Sequence, residues 1–258
     1  MLLPWQKCLF ETLYNNRYLY RFASTVPFAG QWRTWQRLVL SRLHGRSVLE
    51  LGCGLGDLLA DMIEAGYDCR AVEQSKEMVE AARATLLQRH CRESWVIQGQ
   101  AQCLPFADGS FDTVVSTFPS EYIYVPNTIS EVERVLRPGG RFVVVVGANL
   151  LPVGPIQPFL LLVQMCVYGP AVLFRFSKEG NQRIEIASDQ CSINLEMRVR
   201  DKNCETKLNI TTEVIPDAEF GKLIPLERYG LQRHSERVCS RFWEAYIVSG
   251  EKLTRKGC

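Results

Sequence analysis

The chain alternates between short apolar runs and amphipathic stretches. Residues 114–115 and 142–146 are continuous apolar runs of mostly β-branched residues, which is typical of central parallel strands covered on both faces. Apolar residues recur at helical spacing over residues 58–63, and Gly66 follows where a helix would end. Because strands alternate with helices, the pattern predicts a doubly wound, Rossmann-like α/β sheet.

Local signals sharpen two element boundaries. Ser75 is placed to cap a helix from Lys76 to about Arg89. The Pro-Gly-Gly sequence at 138–140 is expected to separate a helix from the strand after it.

Two segments add to this alternation. Apolar and polar residues alternate twice within 192–214, on either side of Asp201-Lys202-Asn203, and predict an inserted antiparallel β-hairpin. We expect this arm to cover the mouth of a site or to pack on a second subunit, with direct substrate contact as the alternative. Near the N-terminus, aromatic residues recur every fourth position and share one helical face: Phe10, Tyr14, Tyr18 and Phe22. Such a stripe usually belongs to the core; the alternative is a helical cap over a ligand.

Residues 142–174 contain no Asp, Glu, Lys or Arg. Prolines at 152, 155, 158 and 170 leave only residues 159–168 as a clean helix, which is shorter than the ~20 residues of a membrane-spanning helix. We expect a buried or pocket-lining helix, with a membrane-surface element as the alternative.

A glycine loop dominates residues 48–75, which read as strand, loop, helix and strand. Three glycines, at 52, 54 and 56, allow a sharp turn. The loop amides and the positive end of the next helix face the same space, which favours a carboxylate or phosphate there. A dinucleotide loop of the type G-x-G-x-x-G would need its third glycine at position 57, where this chain has Asp57. Glu73 closes the second strand, where a carboxylate suits ribose hydroxyls.

Three ordered motifs carry a resemblance to a known family. They are the glycine loop with Glu50 before it, residues 99–117 (GQAQCLPFADGSFDTVVST) and residues 131–146 (EVERVLRPGGRFVVVV). Together they resemble class I S-adenosylmethionine (SAM) methyltransferases, and within them the type 11 group that includes ubiquinone and menaquinone biosynthesis methyltransferases. Residues 226–252 resemble the helix and closing β-hairpin that end this fold.

The resemblance implies a single domain with a seven-stranded, mostly parallel sheet and an antiparallel C-terminal hairpin. We expect residues 1–45 to form a helical N-terminal cap and residues 46–147 the SAM-binding core. Residues 148–215 would hold a variable helix and the hairpin insertion, and residues 216–258 the closing helix and strands.

The resemblance also places SAM across the carboxyl ends of strands one, two and four. The residues expected to bind it are Glu50, Gly52, Cys53, Gly54, Gly56, Glu73, Gln74, Met78, Gln100, Ala101 and Thr117. Glu50 would orient the ammonium group and Glu73 the ribose, while Gln74 and Met78 would flank the adenine. Gln100 stands where the family commonly has Asp, and its carbonyl can still accept a hydrogen bond from the adenine amino group.

Residues after strand four lie at the expected mouth of the site. The candidates for a general base there are Thr117, Ser120, Glu121, Tyr122 and Tyr124. No catalytic residue is assigned, because methyl transfer needs a base only when the acceptor must lose a proton. Asp112 is expected to belong to the structural turn entering strand four.

Composition narrows the function classes. The formal net charge of +2 gives no global basic field, so nucleic acid is not a favoured partner. The ten cysteines lack C-x-x-C spacing and no signal-like segment begins the chain, which favours a cytoplasmic protein with reduced thiols. Cys53 is interpreted as a space-filler rather than a nucleophile. The three histidines have no zinc-site spacing, so no metal is expected.

The sequence therefore favours a SAM-dependent methyltransferase acting on a small apolar molecule, at oxygen or carbon ahead of nitrogen. One alternative is a membrane-associated quinone or lipid methyltransferase, and another is a non-catalytic protein that kept the fold. A nicotinamide-dependent oxidoreductase is disfavoured by Asp57. Besides the substrate, the partners considered are a second copy of the chain and a membrane surface.

Overall fold

The computed structural model describes residues 16–91, 95–151, 159, 162, 192–201, 204–214 and 224–253. The expectations for Phe10, Tyr14 and most of the segment beyond residue 151 lie outside the described residues. The α-helices are α1 (Arg17–Thr25), α2 (Trp32–Gln36), α3 (Asp57–Glu64), α4 (Lys76–Gln88) and α5 (Pro126–Val135). Short 3-10 helices cover Arg37–Arg42, Glu121–Tyr124 and Leu226–Tyr229. The strands are β1 (Ser47–Leu51), β2 (Asp68–Glu73), β3 (Val96–Gln98), β4 (Phe111–Thr117), β5 (Leu136–Leu150), β6 (Ser192–Asp201), β7 (Cys204–Val214), β8 (Leu231–Cys239) and β9 (Trp243–Lys252).

The described strands form one sheet in the order β3-β2-β1-β4-β5-β9-β8-β7-β6. The first five strands pair in parallel, and β5, β9, β8, β7 and β6 pair antiparallel in turn. This confirms the predicted α/β sheet: β1–β5, β8 and β9 are its seven strands, and the inserted hairpin extends the same sheet.

Two apolar clusters cover the two faces of the sheet. Val115, Val143 and Val145 belong to one cluster, whereas their neighbours Val114 and Val144 belong to the other. This alternation follows from the period of two in a strand, and it explains why the central strands are apolar throughout.

The predicted helix boundaries around β2 are confirmed. The Gly66 N–H donates to Ile63 O at 2.9 Å and the Tyr67 N–H to Met62 O at 3.1 Å, with Gly66 at φ +93°. This paired arrangement satisfies the last carbonyls of α3. At the start of α4, the Ser75 hydroxyl accepts a hydrogen bond from the Met78 N–H at 3.4 Å.

The sequence indicated that the Pro-Gly-Gly residues at 138–140 separate α5 from β5. The structure places them within β5 instead. Helix α5 ends at Val135 and β5 begins at Leu136, so the three residues lie inside the strand. The register shifts there, from the pair Phe111–Leu136 to the pair Thr113–Arg141. The extra residues form a bulge, with Gly139 at φ +77°.

The predicted hairpin is confirmed as β6 and β7. Only residues 211–214 of β7 pair with β8, opposite residues 236–239. Because Cys239 also pairs with Glu244, near the carboxyl end of β5, the rest of the hairpin extends past that edge of the sheet. Ile210 is buried in the core beside this junction. The role of the hairpin β6–β7 as a cover for the site, or as a subunit contact, stays a prediction.

The core interpretation of the N-terminal stripe is wrong for its two described members. Tyr18 is 71% exposed and Phe22 is 51% exposed, whereas Tyr20, Ala23 and Ser24 face the protein. Helix α1 therefore turns its stripe outward. Within the described part of the chain, no helix has the length and apolarity needed to cross a bilayer.

Candidate functional site

The candidate site lies where β1 and β4 adjoin, at the carboxyl ends of the parallel strands. The chain leaves β1 toward β2 on one side, and β4 lies on the other, so this is the topological switch point of the sheet. Open α/β sheets bind ligands in the crevice that such a switch creates. The glycine loop, Glu73, Gln100 and Thr117 each follow or end one of these strands, so the fold brings them to one edge as predicted.

Backbone geometry requires glycine at two points of the loop. Gly56 has φ +75° at the start of α3, and a Cβ there would lie 2.9 Å from the Cα of Ala82 in α4. Gly52 has φ +71°, and its Cβ would lie 2.9 Å from the Tyr122 hydroxyl. A side chain at Gly56 would therefore force α4 away from the loop, and one at Gly52 would displace the Tyr122 hydroxyl.

Glu73 braces this loop. Its Oε2 accepts a hydrogen bond from the Gly54 N–H and its Oε1 accepts one from the Ser75 N–H, each at 3.0 Å. An ionised carboxylate has about four lone-pair sites, so further donors can still be accepted. Glu73 thus has a structural role that the sequence did not indicate, and its expected contact with ribose hydroxyls stays a prediction.

Unlike Glu73, Glu50 accepts no hydrogen bond within the described residues. It is buried at the end of β1, and neither carboxyl oxygen has a hydrogen-bond partner within the described residues. Burial, followed by the nearby charges of Glu73 and Asp61, raises the pKa of Glu50 to about 8, while Arg33 opposes the shift. A buried carboxyl group without a partner is costly, and a cation beside it would remove that cost.

These features fit the methionine portion of SAM. The unpaired oxygens of Glu50 suit its ammonium group, and the amides at the start of α3 suit its carboxylate. A Cβ at Gly54 would meet nothing closer than the Tyr20 side chain, at 3.4 Å. The Tyr20 ring of α1 therefore lies against the loop backbone at Gly54.

Cys53 is buried within the loop. Burial and the charges of Glu50 and Glu73 raise the pKa of its thiol well above the ordinary value. Because the thiolate is the reactive form, this cysteine is not poised as a nucleophile. Its interpretation as a space-filler agrees with the structure.

The residues predicted to surround the adenine occupy contrasting positions. Gln74 and Gln100 are exposed, and Ala101 is half-buried. Met78 is fully buried, where it packs with Leu55, Ala81 and Tyr20. Tyr20 thus lies over the side chain that was expected to contact adenine, so the adenine contacts of these residues stay predictions.

The segment after β4 is tied to β1. The Tyr122 hydroxyl donates to Leu51 O at 3.0 Å and lies 2.7 Å from the Ser116 hydroxyl. Thr117 is buried at the strand end and accepts a hydrogen bond from Gln36 at 3.4 Å. Tyr122 therefore supports the glycine loop from below, whereas Glu121 is exposed.

Asp112 lies at the other end of β4. Its Oδ2 accepts hydrogen bonds from the Arg46 and Ser47 N–H groups at 2.9 Å, and its Oδ1 pairs with Arg137 at 2.6 Å. Although burial alone would raise the pKa of Asp112, these hydrogen bonds lower it. The predicted structural role of Asp112 agrees with this geometry.

Sequence reasoning missed the aromatic group that α2 brings to the end of β4. Trp32 stacks on Phe118 with ring centroids 4.1 Å apart, and Trp35 and Phe28 contact the same group. Phe118 has φ +50°, which is unusual for a bulky residue. No local pattern links residues so far apart in sequence, so only the packing of α2 reveals this group.

Comparisons with known proteins find similarity to methyltransferases. A family model described as a methyltransferase domain matches residues 49–144. A demethylmenaquinone methyltransferase of Symbiobacterium thermophilum is 34% identical over 143 residues, which are 52% of this chain and 56% of that protein. One from Paenarthrobacter aurescens is 29% identical over 172 residues, 65% of each protein. The chain spans about half the length of four demethylmenaquinone methyltransferases that it matches.

A solved structure shows the same fold. A chain from the complex between the Haloferax volcanii Trm112 methyltransferase activator and a putative methyltransferase superposes with a TM-score of 0.50. It is 18% identical and the match covers 88% of this chain and 92% of that one. Its ordered motifs, its strand order and the methyltransferase-domain model that matches residues 49–144 together support a class I SAM-dependent methyltransferase fold.

Proposed function

We propose that this protein transfers a methyl group from SAM to a small apolar acceptor, at oxygen or carbon. The observation that carries the proposal is the buried carboxyl group of Glu50, which has no hydrogen-bond partner within the described residues and lies beside the glycine loop. A folded protein that keeps so costly a group at the usual ligand crevice has a use for it, and an ammonium ion is its natural partner.

Each part of the donor would meet a different element. Glu50 would hold the ammonium group, and the amides at the start of α3 would face the carboxylate. Glu73, already fixed by two backbone N–H groups, would accept the ribose hydroxyls with its remaining lone pairs. Because β1 and β2 are adjacent and paired in register, the two carboxylates are held at a fixed spacing.

The acceptor would lie toward β4 and α2. Trp32, stacked on Phe118, provides an aromatic surface next to Thr117 at that strand end. Aromatic faces favour planar apolar molecules. The named activity of the relatives from S. thermophilum and P. aurescens makes a quinone-type ring the leading acceptor class.

The chemistry demands little of the side chains. SAM supplies a methyl group on a positively charged sulfur, and that charge disperses during transfer. The protein's contribution is to align the acceptor and to exclude water, which would stabilise the charged reactant more than the transition state. The aromatic group around Trp32 and the buried Thr117 serve both purposes, and no catalytic base is proposed.

Calorimetric titration with the demethylated product, S-adenosylhomocysteine, tests donor binding. We expect one site per chain in the wild type, and binding weakened about ten-fold or more in Glu50→Gln, which cannot carry the negative charge that pairs with the ammonium group. Glu77→Gln is the matched control, since Glu77 is exposed in the first turn of α4. Absence of binding in the wild type would contradict the proposal.

Turnover is tested separately. SAM with a labelled methyl group is incubated with the wild-type protein and a panel of naphthoquinone and benzoquinone acceptors, in oxidised and reduced form, and with small phenols. We expect label in a quinone-type product. Donor binding without transfer to any acceptor in the panel would favour the non-catalytic alternative.

A further inference from the structure

We propose that the outer face of α1 is a membrane-docking surface that binds the headgroup region of an anionic bilayer. The inference rests on the proposed function, because it supplies the route by which an apolar acceptor reaches the site. Two independent features of α1 carry it, its exposed side chains and its position over the glycine loop.

The exposed side chains of α1 are the reverse of those expected for a helix on a water-soluble surface. Tyr18 and Phe22 lie one turn apart and project outward, with Leu19 and Val26 beside them. The small residues Ala23 and Ser24 face the protein instead. A soluble helix places its apolar stripe on the core and its polar residues outside, so this orientation calls for an apolar environment outside the protein.

The charges on α1 favour an anionic lipid surface over other occupants. The helix contains Arg17 and Arg21 and no acidic residue. The Arg17 guanidinium lies 4.9 Å from the centre of the Tyr18 ring, and Arg21 is 59% exposed although it pairs with Asp57 at 3.5 Å. Tyrosine and phenylalanine flanked by arginine are the side chains that suit the boundary between headgroups and acyl chains.

The position of α1 links this face to the site. Tyr20, on the opposite side of the helix, packs with Leu55 and Met78, and its hydroxyl lies 3.4 Å from where a Cβ of Gly54 would be. A bilayer against Tyr18 and Phe22 would therefore lie within one helix diameter, about 10 Å, of the glycine loop. An apolar molecule dissolved in that bilayer would have a short path to the acceptor side of the crevice.

Vesicle flotation with the full chain tests the proposal. We expect the wild type to float with vesicles of phosphatidylcholine and phosphatidylglycerol, and less with phosphatidylcholine alone. The double substitution Tyr18→Ser, Phe22→Ser should reduce binding about ten-fold or more, because two interfacial aromatic side chains are lost. Arg17→Gln should reduce it about five-fold, the loss expected for one basic residue near an anionic surface.

Two controls separate docking from folding and from the proposed function. Leu87→Ser removes a side chain that is 55% exposed near the end of α4 and should leave flotation unchanged. S-adenosylhomocysteine affinity should be the same in all these variants. Flotation equal in the wild type and the Tyr18→Ser, Phe22→Ser variant, or absent from both with product binding intact, would overturn the docking proposal alone.

Sedimentation velocity tests whether the outer face of α1 instead binds a second copy of the chain. If the wild type does not float but forms a dimer that the Tyr18→Ser, Phe22→Ser variant cannot form, the face binds a second copy of the chain and the membrane proposal is wrong. Loss of product binding in the wild type would instead remove the proposed function.

Discussion

Two regions of the molecule each bury a carboxyl group, and they differ in the partners that they give it. One region is the end of β1, and the other is the junction of α2, α3 and α4. Glu50 is 1% exposed without a hydrogen-bond partner in the described structure, whereas Asp61 is 7% exposed and bonds to three arginines. Asp61 lies 2.7 Å from Arg37, 2.8 Å from Arg89 and 2.9 Å from Arg33. The paired carboxylate holds the fold together, and we propose that the unpaired one receives the ammonium group of a ligand.

The two groups also differ in pKa. Burial alone would raise the pKa of Asp61, but its hydrogen bond with Arg37 and the charge of Arg33 lower it. Glu50 has no such compensation, so its pKa rises. Arg33 and Arg37 belong to the segment that carries Trp32, and therefore Asp61 also fixes the aromatic group at the end of β4.

The largest expected effect on stability comes from replacing Asp61, the carboxylate that pairs with three arginines. Asp61→Asn should lower the free energy of unfolding by about 3 kcal/mol, because three arginines lose their buried partner. Asp68→Asn removes a more exposed pair with Arg70 and should cost about 0.5 kcal/mol or less. Urea unfolding measures both, and equal losses would show that Asp61 does not clamp α2 to the core.

The same measurement against pH checks the sign of the Asp61 contribution. Since its pKa is lower in the folded state, its contribution is present above the unfolded pKa of about 4 and is lost as pH falls through the folded value. The Asp61→Asn variant should therefore approach wild-type stability in acid.

A second pair of substitutions compares Glu73 with Asp112. Each carboxylate accepts hydrogen bonds from two backbone N–H groups, Glu73 at the carboxyl edge of the sheet and Asp112 at the amino edge. Replacing either by Ala should cost about 2 kcal/mol of stability, because charge-assisted hydrogen bonds are lost. Only Glu73→Ala should also weaken S-adenosylhomocysteine binding, by about ten-fold or more. Equal affinities in the two variants would remove Glu73 from the site.

The smallest effect concerns the unpaired carboxyl group itself. Because the folded pKa of Glu50 is about 8, above its ordinary value, the wild type should lose stability as pH rises from about 5 to 8. Glu50→Gln should lose less over that range and be about 1 kcal/mol more stable at pH 7, since its buried amide carries a smaller penalty. Thermal unfolding across this pH range measures the difference, and parallel curves would contradict the assignment.

Much of the site was predictable because its residues follow local patterns. Glycine spacing marks the loop, apolar runs mark the strands, and the carboxyl ends of parallel strands meet at one edge whatever the side chains are. Glu50, Glu73 and Thr117 could therefore be assigned to one crevice before any coordinates. The outward stripe of α1 and the burial of Met78 were not predictable in this way, because periodicity shows that residues share a face and not what that face contacts.

The sequence alone determined the order of the core strands and helices, and the edge of the sheet at which the glycine loop, Glu73 and Thr117 meet. The tertiary structure alone decided which acid keeps a partner, because the arginines around Asp61 lie 24 to 28 residues away in the chain. It likewise decided that Tyr20, and not Tyr18, faces the glycine loop. Local propensity sets backbone conformation over a few residues, whereas burial and pairing depend on contacts between distant segments that exist only once the chain has folded.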